Sequence, residues 1–373
     1  MVGRRAGAVA GACVVAAAGL AACGQGGRLN AEDPPTSLHR FPAAVVSTTT
    51  LVPPPFGVPR APTTTTTRKS SGPSSATSTT AANQPPPRVS PAATPMPAAR
   101  TEVAGAGWQG FVVVAGGLTA SGTPSARVDS YDPVSGAWQR GPDLPAAIYN
   151  AALTALGDDL YLIGGFTVEG DQPIAVATTY VFHSGDTAWK TGPNLQTPRG
   201  GPAAASIGDT IVVLGGATTD GGDLDTVETL AQGDTAWKDG KPLIQKRAYA
   251  SALVSGGRVY AAGGRVGGVS GALTSAESWK PGDDHWRIES GLAEARASAG
   301  GAANCVAGGE NGGGAVGSIE CITDRKWSTA FHMDLPRHGL AAAVIDGWLH
   351  LIGGGPRPGP TVNAAHEIFD LTA

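Results

Sequence analysis

Apolar and β-branched residues in this chain come in short runs, and six of these runs end at a pair of glycines. The pairs begin at Gly116, Gly164, Gly215, Gly263, Gly308 and Gly353. Runs such as FVVVA, DLYLI and TIVVL stand directly before them, and runs of this composition are typical of β-strands. The pairs are 48, 51, 48, 45 and 45 residues apart. A repeat of this length predicts six copies of a four-stranded β-sheet unit.

A second apolar position follows each glycine pair after a loop of variable length. These positions are Tyr131, Phe182, Leu230, Trp279, Cys321 and Phe369. A tryptophan stands seven residues after each of the first four and six residues after Cys321; the tryptophans are Trp138, Trp189, Trp237, Trp286 and Trp327. The order of diglycine, aromatic residue and tryptophan resembles the kelch repeat, and the resemblance covers about 270 residues.

The resemblance implies an all-β fold, a six-bladed kelch β-propeller. Each glycine pair would allow backbone torsions and a close approach that a side chain forbids. Each tryptophan would pack as a core residue against the neighbouring blade, the alternative being an aromatic cage for a ligand.

A further set of equivalent positions in the repeats, which we call a column, marks where each blade begins. Ten residues after the tryptophans stand Ile148, Arg199, Arg247, Arg296 and Arg337, and four residues before those stand Leu144, Leu195, Leu243, Leu292 and Met333. Sixteen residues separate Arg199 from Gly215, and the same step back from Gly116 reaches Arg100, with Met96 four residues earlier. The stretch TPMPAAR, residues 94 to 100, is therefore in register with the blades.

The last blade lacks an outer strand of its own, because the chain stops four residues after Phe369. We expect residues 88 to 98 to supply that N-terminal outer strand, since ring closure removes two exposed sheet edges. Pro91, Pro95 and Pro97 cannot donate to a ladder, so this strand must be outermost and short.

The N-terminus predicts export and a lipid anchor. Arg4 and Arg5 precede an apolar run over 6–22 that is too short and too weakly hydrophobic to span a bilayer, so residues 1–22 are predicted to be a signal peptide. The sequence LAACG, residues 20 to 24, resembles a bacterial lipobox, which implies acylation of Cys23, palmitate included, and durable attachment to the cell membrane. The alternative is a cysteine at the end of an ordinary signal peptide.

Composition divides the rest of the chain. Residues 23–87 are rich in Pro, Thr and Ser and bury too little apolar surface to fold, so they are predicted to be a lipid-anchored disordered linker, with the propeller over 88–373. The predicted location is extracytoplasmic, in the cell-wall space or periplasm.

The cysteines of the predicted propeller fall at two aromatic positions of the fifth blade. Cys13 leaves with the signal peptide and Cys23 is acylated, so Cys305 and Cys321 remain, in a compartment where disulfides persist. They fall on adjacent antiparallel strands, and we predict a disulfide between them. This blade is also short, with 12 residues from Arg296 to Gly308.

The candidate binding residues are the arginines of the blade column. In kelch propellers, ligands are commonly bound on the face where the loops after the glycine pairs meet the turns into the first strands. There we predict a cationic ring for an acidic sugar, a peptide carboxylate or a phosphate, made of Arg100, Arg199, Arg247, Arg296 and Arg337. The alternative is that these arginines bridge blades through backbone carbonyls and loop carboxylates.

Several function classes are disfavoured. The formal net charge is -4 and no basic run stands out, so no nucleic-acid partner is expected. Seven histidines show no metal-binding spacing, and the Tyr-His dipeptide of galactose oxidase, a kelch enzyme, does not occur. No catalytic residue, cofactor or metal is predicted.

The sequence predicts a monomeric, membrane-anchored module that binds an extracytoplasmic protein or glycan. The alternative is a carbohydrate enzyme similar to the bacterial sialic-acid mutarotase. A narrow central pocket with a converging carboxylate and arginine would favour that alternative.

Overall fold

The computed structural model describes residues 90–372, which form six β-sheets in a ring. The first strands of successive sheets pack against one another in cyclic order, and the last packs against the first. The predicted six-bladed β-propeller is confirmed. The predicted signal peptide, the acylation of Cys23 and the linker over 23–87 lie outside the described residues. Across 90–372, no helix is long and apolar enough to cross a membrane.

The first three blades have four strands each in the main sheet. Blade 1 contains β1 (Ala104–Trp108), β2 (Phe111–Ala115), β3 (Val128–Asp132) and β4 (Ala137–Arg140). Blade 2 contains β5 (Ala152–Leu156), β6 (Asp159–Ile163), β9 (Thr179–His183) and β10 (Lys190–Thr191), with an added hairpin of β7 (Phe166–Glu169) and β8 (Gln172–Ala175). Blade 3 contains β11 (Ala203–Ile207), β12 (Thr210–Leu214), β13 (Val227–Ala231) and β14 (Lys238–Asp239).

Blades 4 and 5 also have four strands in the main sheet, and blade 6 has three. Blade 4 contains β15 (Ser251–Ser255), β16 (Arg258–Ala262), the 3-10 turn Val269–Gly271, β17 (Ala276–Trp279) and β18 (Arg287–Ile288). Blade 5 contains β19 (Gly300–Ala302), β20 (Cys305–Ala307), β23 (Ser318–Thr323) and β24 (Lys326–His332), with a hairpin of β21 (Glu310–Asn311) and β22 (Gly314–Ala315). Blade 6 contains β25 (Ala341–Ile345), β26 (Trp348–Ile352) and β27 (His366–Asp370).

Side-chain size falls towards the central axis. Second strands are buried on both faces, as at Val112, Val113 and Val114. First strands consist largely of Ala, Gly and Ser because six of them converge on one channel. A Cβ atom on Gly105 would lie 2.5 Å from the Cβ atom of Ala341.

The glycine pairs join neighbouring blades. Gly116 and Gly117 have φ values of 65° and 95°. A Cβ atom on Gly116 would lie 2.4 Å from the carbonyl oxygen of Ile148, and the Gly117 N–H donates to that same oxygen at 2.9 Å. These positions therefore require glycine for both torsion and space.

Three of the tryptophans are buried core residues that also bridge blades. Trp189, Trp237 and Trp286 donate their indole N–H groups to backbone carbonyls that lead out of the preceding blade, at 2.8 to 3.2 Å. Trp138 donates in the same way, but to the carbonyl of Thr94 at 2.9 Å. Thr94 thus occupies the place that a preceding blade fills elsewhere.

Residues 94–100 close the ring with the bonds used at the other junctions. The Met96 N–H donates to the carbonyl of Ala364 at 2.8 Å, as Leu144, Leu195, Leu243, Leu292 and Met333 do to their own blades. The Gly354 N–H donates to the carbonyl of Arg100 at 2.9 Å, which repeats the contact of Gly117 with Ile148. Met96 is buried. TPMPAAR therefore belongs to the propeller.

The closing segment lies along β27 without forming a regular strand, so the sixth sheet has three hydrogen-bonded strands within the described residues. Its prolines remove the donors that a ladder would need. The segment starts at Ser90, in a groove beside the β3–β4 turn and the β25–β26 turn, where the Thr94 hydroxyl donates to the carbonyl of Gly136 at 2.8 Å.

The fifth blade contains the predicted disulfide. Cys305 on β20 and Cys321 on β23 are directly opposite in the ladder and are bonded to each other. The shortened interval from Arg296 to Gly308 gives first and second strands of three residues, against five in the other blades. The disulfide connects the two middle strands of this blade, at positions that are aromatic in several of the other blades.

Removing the disulfide is expected to destabilise the protein. Replacing both Cys305 and Cys321 by alanine frees a loop with a sequence separation of 16 residues, and loop entropy predicts a loss of up to about 3 kcal/mol in the free energy of unfolding. Denaturant unfolding of oxidised, reduced and doubly substituted protein measures the loss. Alkylation of Cys305 and Cys321 in the untreated protein would contradict the pairing.

Candidate functional site

The five arginines predicted to line the mouth are buried in the propeller wall. Each is 0 or 1% exposed. Each guanidinium forms a salt bridge of 2.6 to 2.8 Å to a carboxylate on the third strand of a blade; the pairs are Arg100–Asp129, Arg199–Glu228, Arg247–Glu277, Arg296–Glu320 and Arg337–Glu367. These groups do not form the cationic ring predicted for an anionic ligand. Their geometry is that of the alternative, in which arginines bridge blades.

Arg247 shows the full set of contacts. Its guanidinium donates to the carbonyls of Gly263 at 2.7 Å and Ser275 at 3.0 Å, and to Glu277 at 2.7 Å. The Glu277 carboxylate also accepts the backbone N–H groups of Ile244 and Gln245, at 2.6 and 3.0 Å. Burial lowers the pKa of Arg247, and the charge of Glu277 opposes that shift. The pair is thus saturated by hydrogen bonds inside the protein.

Blade 2 replaces this ion pair by apolar packing. Ile148 stands in the arginine column, and Tyr180 stands two residues before the aromatic position Phe182, where the first, third, fourth and sixth blades have Asp or Glu. Both side chains belong to one buried cluster. Pro145, which has no N–H, follows Leu144 at the place where Ile244 donates to Glu277. The ion pair and its backbone donor are replaced together.

The central channel opens on the face of the diglycine loops. This opening, which we call the mouth, is formed by the residue two positions after each member of the arginine column: Glu102, Asn150, Gly201, Tyr249, Ser298 and Gly339. Backbone N–H groups donate from each blade to the one before, from Asn150 to Glu102 at 3.0 Å and so on round to Val103, which donates to Gly339 at 3.2 Å. This circle of six hydrogen bonds fixes the mouth residues.

All six mouth residues have left-handed backbone torsions, with φ between 49° and 59°. Residues other than glycine rarely adopt such torsions, and they concentrate at functional sites. The two glycines make room for large neighbours. A Cβ atom on Gly339 would lie 2.8 Å from Glu102 Oε1, and one on Gly201 would lie 2.8 Å from the Tyr249 ring.

A buried imidazole holds Glu102 in place. His338 Nδ1 lies 3.1 Å from Glu102 Oε1 and 3.9 Å from Glu310 Oε2, and His338 Nε2 donates to the carbonyl of Arg357 at 2.9 Å. Burial lowers the pKa of His338, but the hydrogen bond and charge of Glu102 and the charge of Glu310 outweigh burial and raise the pKa to about 9. His338 is therefore an imidazolium at neutral pH.

Aromatic and basic groups complete this cluster. The guanidinium carbon of Arg265 lies 4.1 Å from the centroid of the Tyr249 ring, which is a cation–π contact. Tyr149 packs against Phe166, with ring centroids 5.6 Å apart. Burial raises the pKa of Tyr249, so its hydroxyl stays protonated at neutral pH.

Below the mouth the channel carries little chemistry. Its wall is mostly Ala and Gly, with one hydroxyl pair, Thr154 and Ser206, at 3.0 Å. Within residues 90–372, no three His, Cys, Asp or Glu side chains gather in a way that could hold a metal ion. The described chemistry of the channel is therefore concentrated at the mouth.

A pair of buried histidines, His350 and His366, lies under the closing segment. His366 Nδ1–H donates to the carbonyl of Thr94 at 3.0 Å, which leaves His366 Nε2 to accept from His350 Nδ1–H at 2.9 Å. The Tyr131 ring packs edge-on against His366, with centroids 4.6 Å apart. Burial lowers the pKa of His350 to about 3, with His366 adding to the shift, and lowers that of His366 to about 4.

Acid is expected to destabilise the protein through this pair. The pKa of both histidines is lower in the folded state than in the unfolded state, so between pH 6.5 and about 4 the unfolded chain binds more protons than the folded one. The free energy of unfolding therefore decreases as the pH drops through this range. Each pKa unit corresponds to about 1.4 kcal/mol. Unfolding free energies between pH 6.5 and 4.5 measure the effect, and His350→Phe should flatten the slope. The exposed His183, replaced by Phe, is the control; equal slopes in both variants would contradict the assignment.

Two stretches of the chain, 99–145 and 246–292, match the kelch motif family model. Curated relatives include the kelch repeat protein M-T8 of Myxoma virus, 29% identical over 144 residues, and Kelch-like protein 25 of Xenopus tropicalis, 26% identical over 184 residues. These matches cover 38% and 48% of this chain, and 27% and 29% of the relatives. The chain thus spans less than a third of the length of these relatives.

The solved structure of YjhT superposes with a TM-score of 0.64 and 13% identity, covering 73% of this chain and 95% of that one. This likeness shows the fold alone. The described part of the chain is a β-propeller. Two stretches of it, 99–145 and 246–292, match the kelch motif.

The mouth cluster was missed by sequence reasoning. The arginines were predicted as binding residues because their spacing is regular, whereas the mouth residues have no common residue type. One signal was available: Glu102, Tyr249 and His338 stand one or two residues beyond a regular column, where several of the other blades have Gly, Ala or Ser. A ligand site should differ from repeat to repeat, so irregular residues beside a regular column were the better candidates.

Proposed function

We propose that this chain is a membrane-anchored binding module outside the cytoplasm, which presents the mouth face of its propeller to a protein or glycan partner. Acylation of Cys23 provides the anchor, and residues 23–87 act as the spacer. The matches to kelch repeats support a binding role, because propellers of this kind present loops from several blades on one face.

The observation that carries the proposal is the chemical individuality of the mouth. Residues with a structural role recur from blade to blade: these are the glycine pairs, the Leu/Met positions and the arginine–carboxylate pairs. The mouth instead combines Glu102, Asn150, Tyr249 and Ser298 in strained torsions, backed by a buried imidazolium. The fold does not need these side chains, since glycine fills the same position at 201 and 339. A binding role accounts for them.

Partner capture from the cell envelope tests the proposal. We expect Tyr249→Ala in the full chain to reduce capture of a protein or glycan at least tenfold, a loss typical of an aromatic hot spot. Tyr161→Ala is the matched control, because Tyr161 is also half-buried but does not line the mouth. If both variants capture as much as the original chain, the mouth is not the binding site.

The anchor is tested separately by cell fractionation. Cys23→Ala should move the protein from the membrane fraction to the soluble exported fraction. A Cys13→Ala variant is the control, since that residue lies within the predicted signal peptide. Unchanged membrane association of the Cys23 variant would overturn the anchor.

A second candidate function is a carbohydrate enzyme of the mutarotase type. The pairing of Glu310 with His338 beside the mouth favours it, with Arg265 close enough to affect the pKa of Glu310. Burial raises the pKa of Glu310, and a carboxyl group of raised pKa suits proton transfer. Exchange between sugar anomers, followed by NMR, tests this candidate. Acceleration that Glu310→Gln abolishes would support it, and an uncatalysed rate would exclude it for the sugars tried.

A further inference from the structure

Two buried polar atoms of opposite character near the mouth have no hydrogen-bond partner among residues 90–372. They are Nε of Arg265, a donor, and Oε2 of Glu310, an acceptor. Glu310 is only 5% exposed. Buried polar atoms are nearly always paired, and an unpaired one points to a missing water, ion or ligand.

The two residues lie on neighbouring blades beside the mouth. Arg265 and Glu310 are the first residues after successive glycine pairs, in blades 4 and 5. Glu310 Oε2 lies 3.9 Å from His338 Nδ1, and Arg265 stacks on Tyr249, which lines the mouth. The positive charges of His338 and Arg265 both oppose the upward shift that burial causes in the pKa of Glu310, as expected for groups in one cluster.

One chemical group satisfies both atoms at once. A hydroxyl oxygen accepts from the Arg265 Nε–H and donates its own hydrogen to Glu310 Oε2, whereas a carboxylate or phosphate oxygen has no hydrogen to donate. We propose that the mouth binds an uncharged, hydroxyl-rich ligand, a neutral sugar unit, with one hydroxyl held between Arg265 and Glu310. Arg265, which is half-buried over Tyr249, turns to admit it.

The remaining mouth groups suit the same class of ligand. The Asn150 amide and the Ser298 hydroxyl border the opening, and the tyrosine rings offer apolar faces to a sugar ring. Glu102, Glu310 and Asp223 contribute three negative charges in this region, against two positive charges from Arg265 and His338. The resulting net charge of -1 disfavours an acidic sugar relative to a neutral one.

This inference rests on the proposed binding function and narrows its ligand. Isothermal calorimetry of the full chain with galactose, glucose, mannose and N-acetylglucosamine, and with galacturonate and glucuronate, tests it. We expect at least one neutral sugar to bind, and its matching uronate to bind at least tenfold more weakly. Tighter binding of the uronates would overturn the inference.

Two substitutions locate the hydroxyl. Glu310→Gln and Arg265→Leu should each weaken sugar binding about tenfold to a hundredfold, the cost of losing one hydrogen bond to a charged group. Glu169→Gln, on the exposed tip of the β7–β8 hairpin, and Arg140→Leu, in an exposed ion pair, are the matched controls. Melting temperatures establish that each variant folds.

Failure here is distinguishable from failure of the binding function itself. If no sugar binds, the inference falls. Capture of a protein partner that Tyr249→Ala abolishes would then leave the binding module intact. Equal sugar binding by Glu310→Gln and Glu169→Gln would place the sugar elsewhere and also overturn the inference.

Discussion

Replacing Arg247 by isoleucine is expected to lower the free energy of unfolding by about 3–5 kcal/mol, the range measured when one partner of a buried ion pair is removed. Glu277 would remain buried, with the N–H groups of Ile244 and Gln245 as its remaining donors. The carbonyls of Gly263 and Ser275 would lose their guanidinium donor as well. Denaturant unfolding of the full chain measures the loss.

Blade 2 supplies the compensating change. The triple variant Arg247→Ile, Glu277→Tyr and Ile244→Pro copies Ile148, Tyr180 and Pro145, and it removes both charges and one backbone donor together. We expect it to recover most of the lost stability, because well-packed apolar residues can replace a buried ion pair at little cost.

An exposed ion pair provides the control for this series. Arg140→Leu breaks the exposed bridge to Asp143 and should cost less than about 1 kcal/mol. A triple variant no more stable than the single Arg247→Ile variant would show that the packing of blade 2 cannot be transferred to blade 4. A single variant as stable as the original chain would contradict the role of the buried pair.

A chain that starts at Thr101 is expected to be far less stable than one that starts at Arg88. It loses the buried Met96, the Arg100 bridge to Asp129, and the carbonyls that accept from Trp138 and Gly354. Losing the buried ion pair alone costs about 3–5 kcal/mol, so we expect the melting temperature to fall by about 10 °C or more. Arg127 still pairs with Asp129, which limits the charge left unpaired.

The chains that start at Arg88 and Thr101 differ by 13 residues. A control is needed in which only residues of the predicted linker are removed. A chain starting at Gly24 and one starting at Arg88 should melt together, because residues before Arg88 are assigned to the linker. Equal melting temperatures for the chains starting at Arg88 and Thr101 would return residues 88–100 to the linker.

The architecture was predictable because the local geometry at each blade junction requires the same residue type in every repeat. Glycine at 116 and 117 is required by positive φ and by the carbonyl of Ile148, so it recurs at every junction. Arg100 and Met96 could be placed by counting, because the closing segment repeats the bonds of the other junctions. The irregular path of residues 90–98 was not predicted in full, since three prolines remove donors from the expected strand.

The role of the arginines was open in the sequence, although a deciding signal was present. A carboxylate stands two residues before the aromatic position in the first, third, fourth and sixth blades, and one residue before it at the bulge in blade 5. In blade 2 both the arginine and the carboxylate are missing. Residues that appear and disappear together are partners, so the pairing could have been inferred.

The mouth could not be predicted in the same way. Arg265 and Glu310 come from neighbouring blades, and Glu102 meets His338 from 236 residues away because the ring closes. No local sequence pattern indicates the contact between Glu102 and His338. The unpaired atoms of Arg265 and Glu310 become visible only when every neighbour is in place.

Ser90, where the described chain begins, lies on the face of the propeller opposite the mouth. Ser90 lies beside the β3–β4 and β25–β26 turns, and in an antiparallel blade these turns are at the opposite end from the diglycine loops. The chain therefore enters the propeller from the back of the disc. A ligand at the mouth and the point where the described chain begins therefore lie on opposite faces of the propeller.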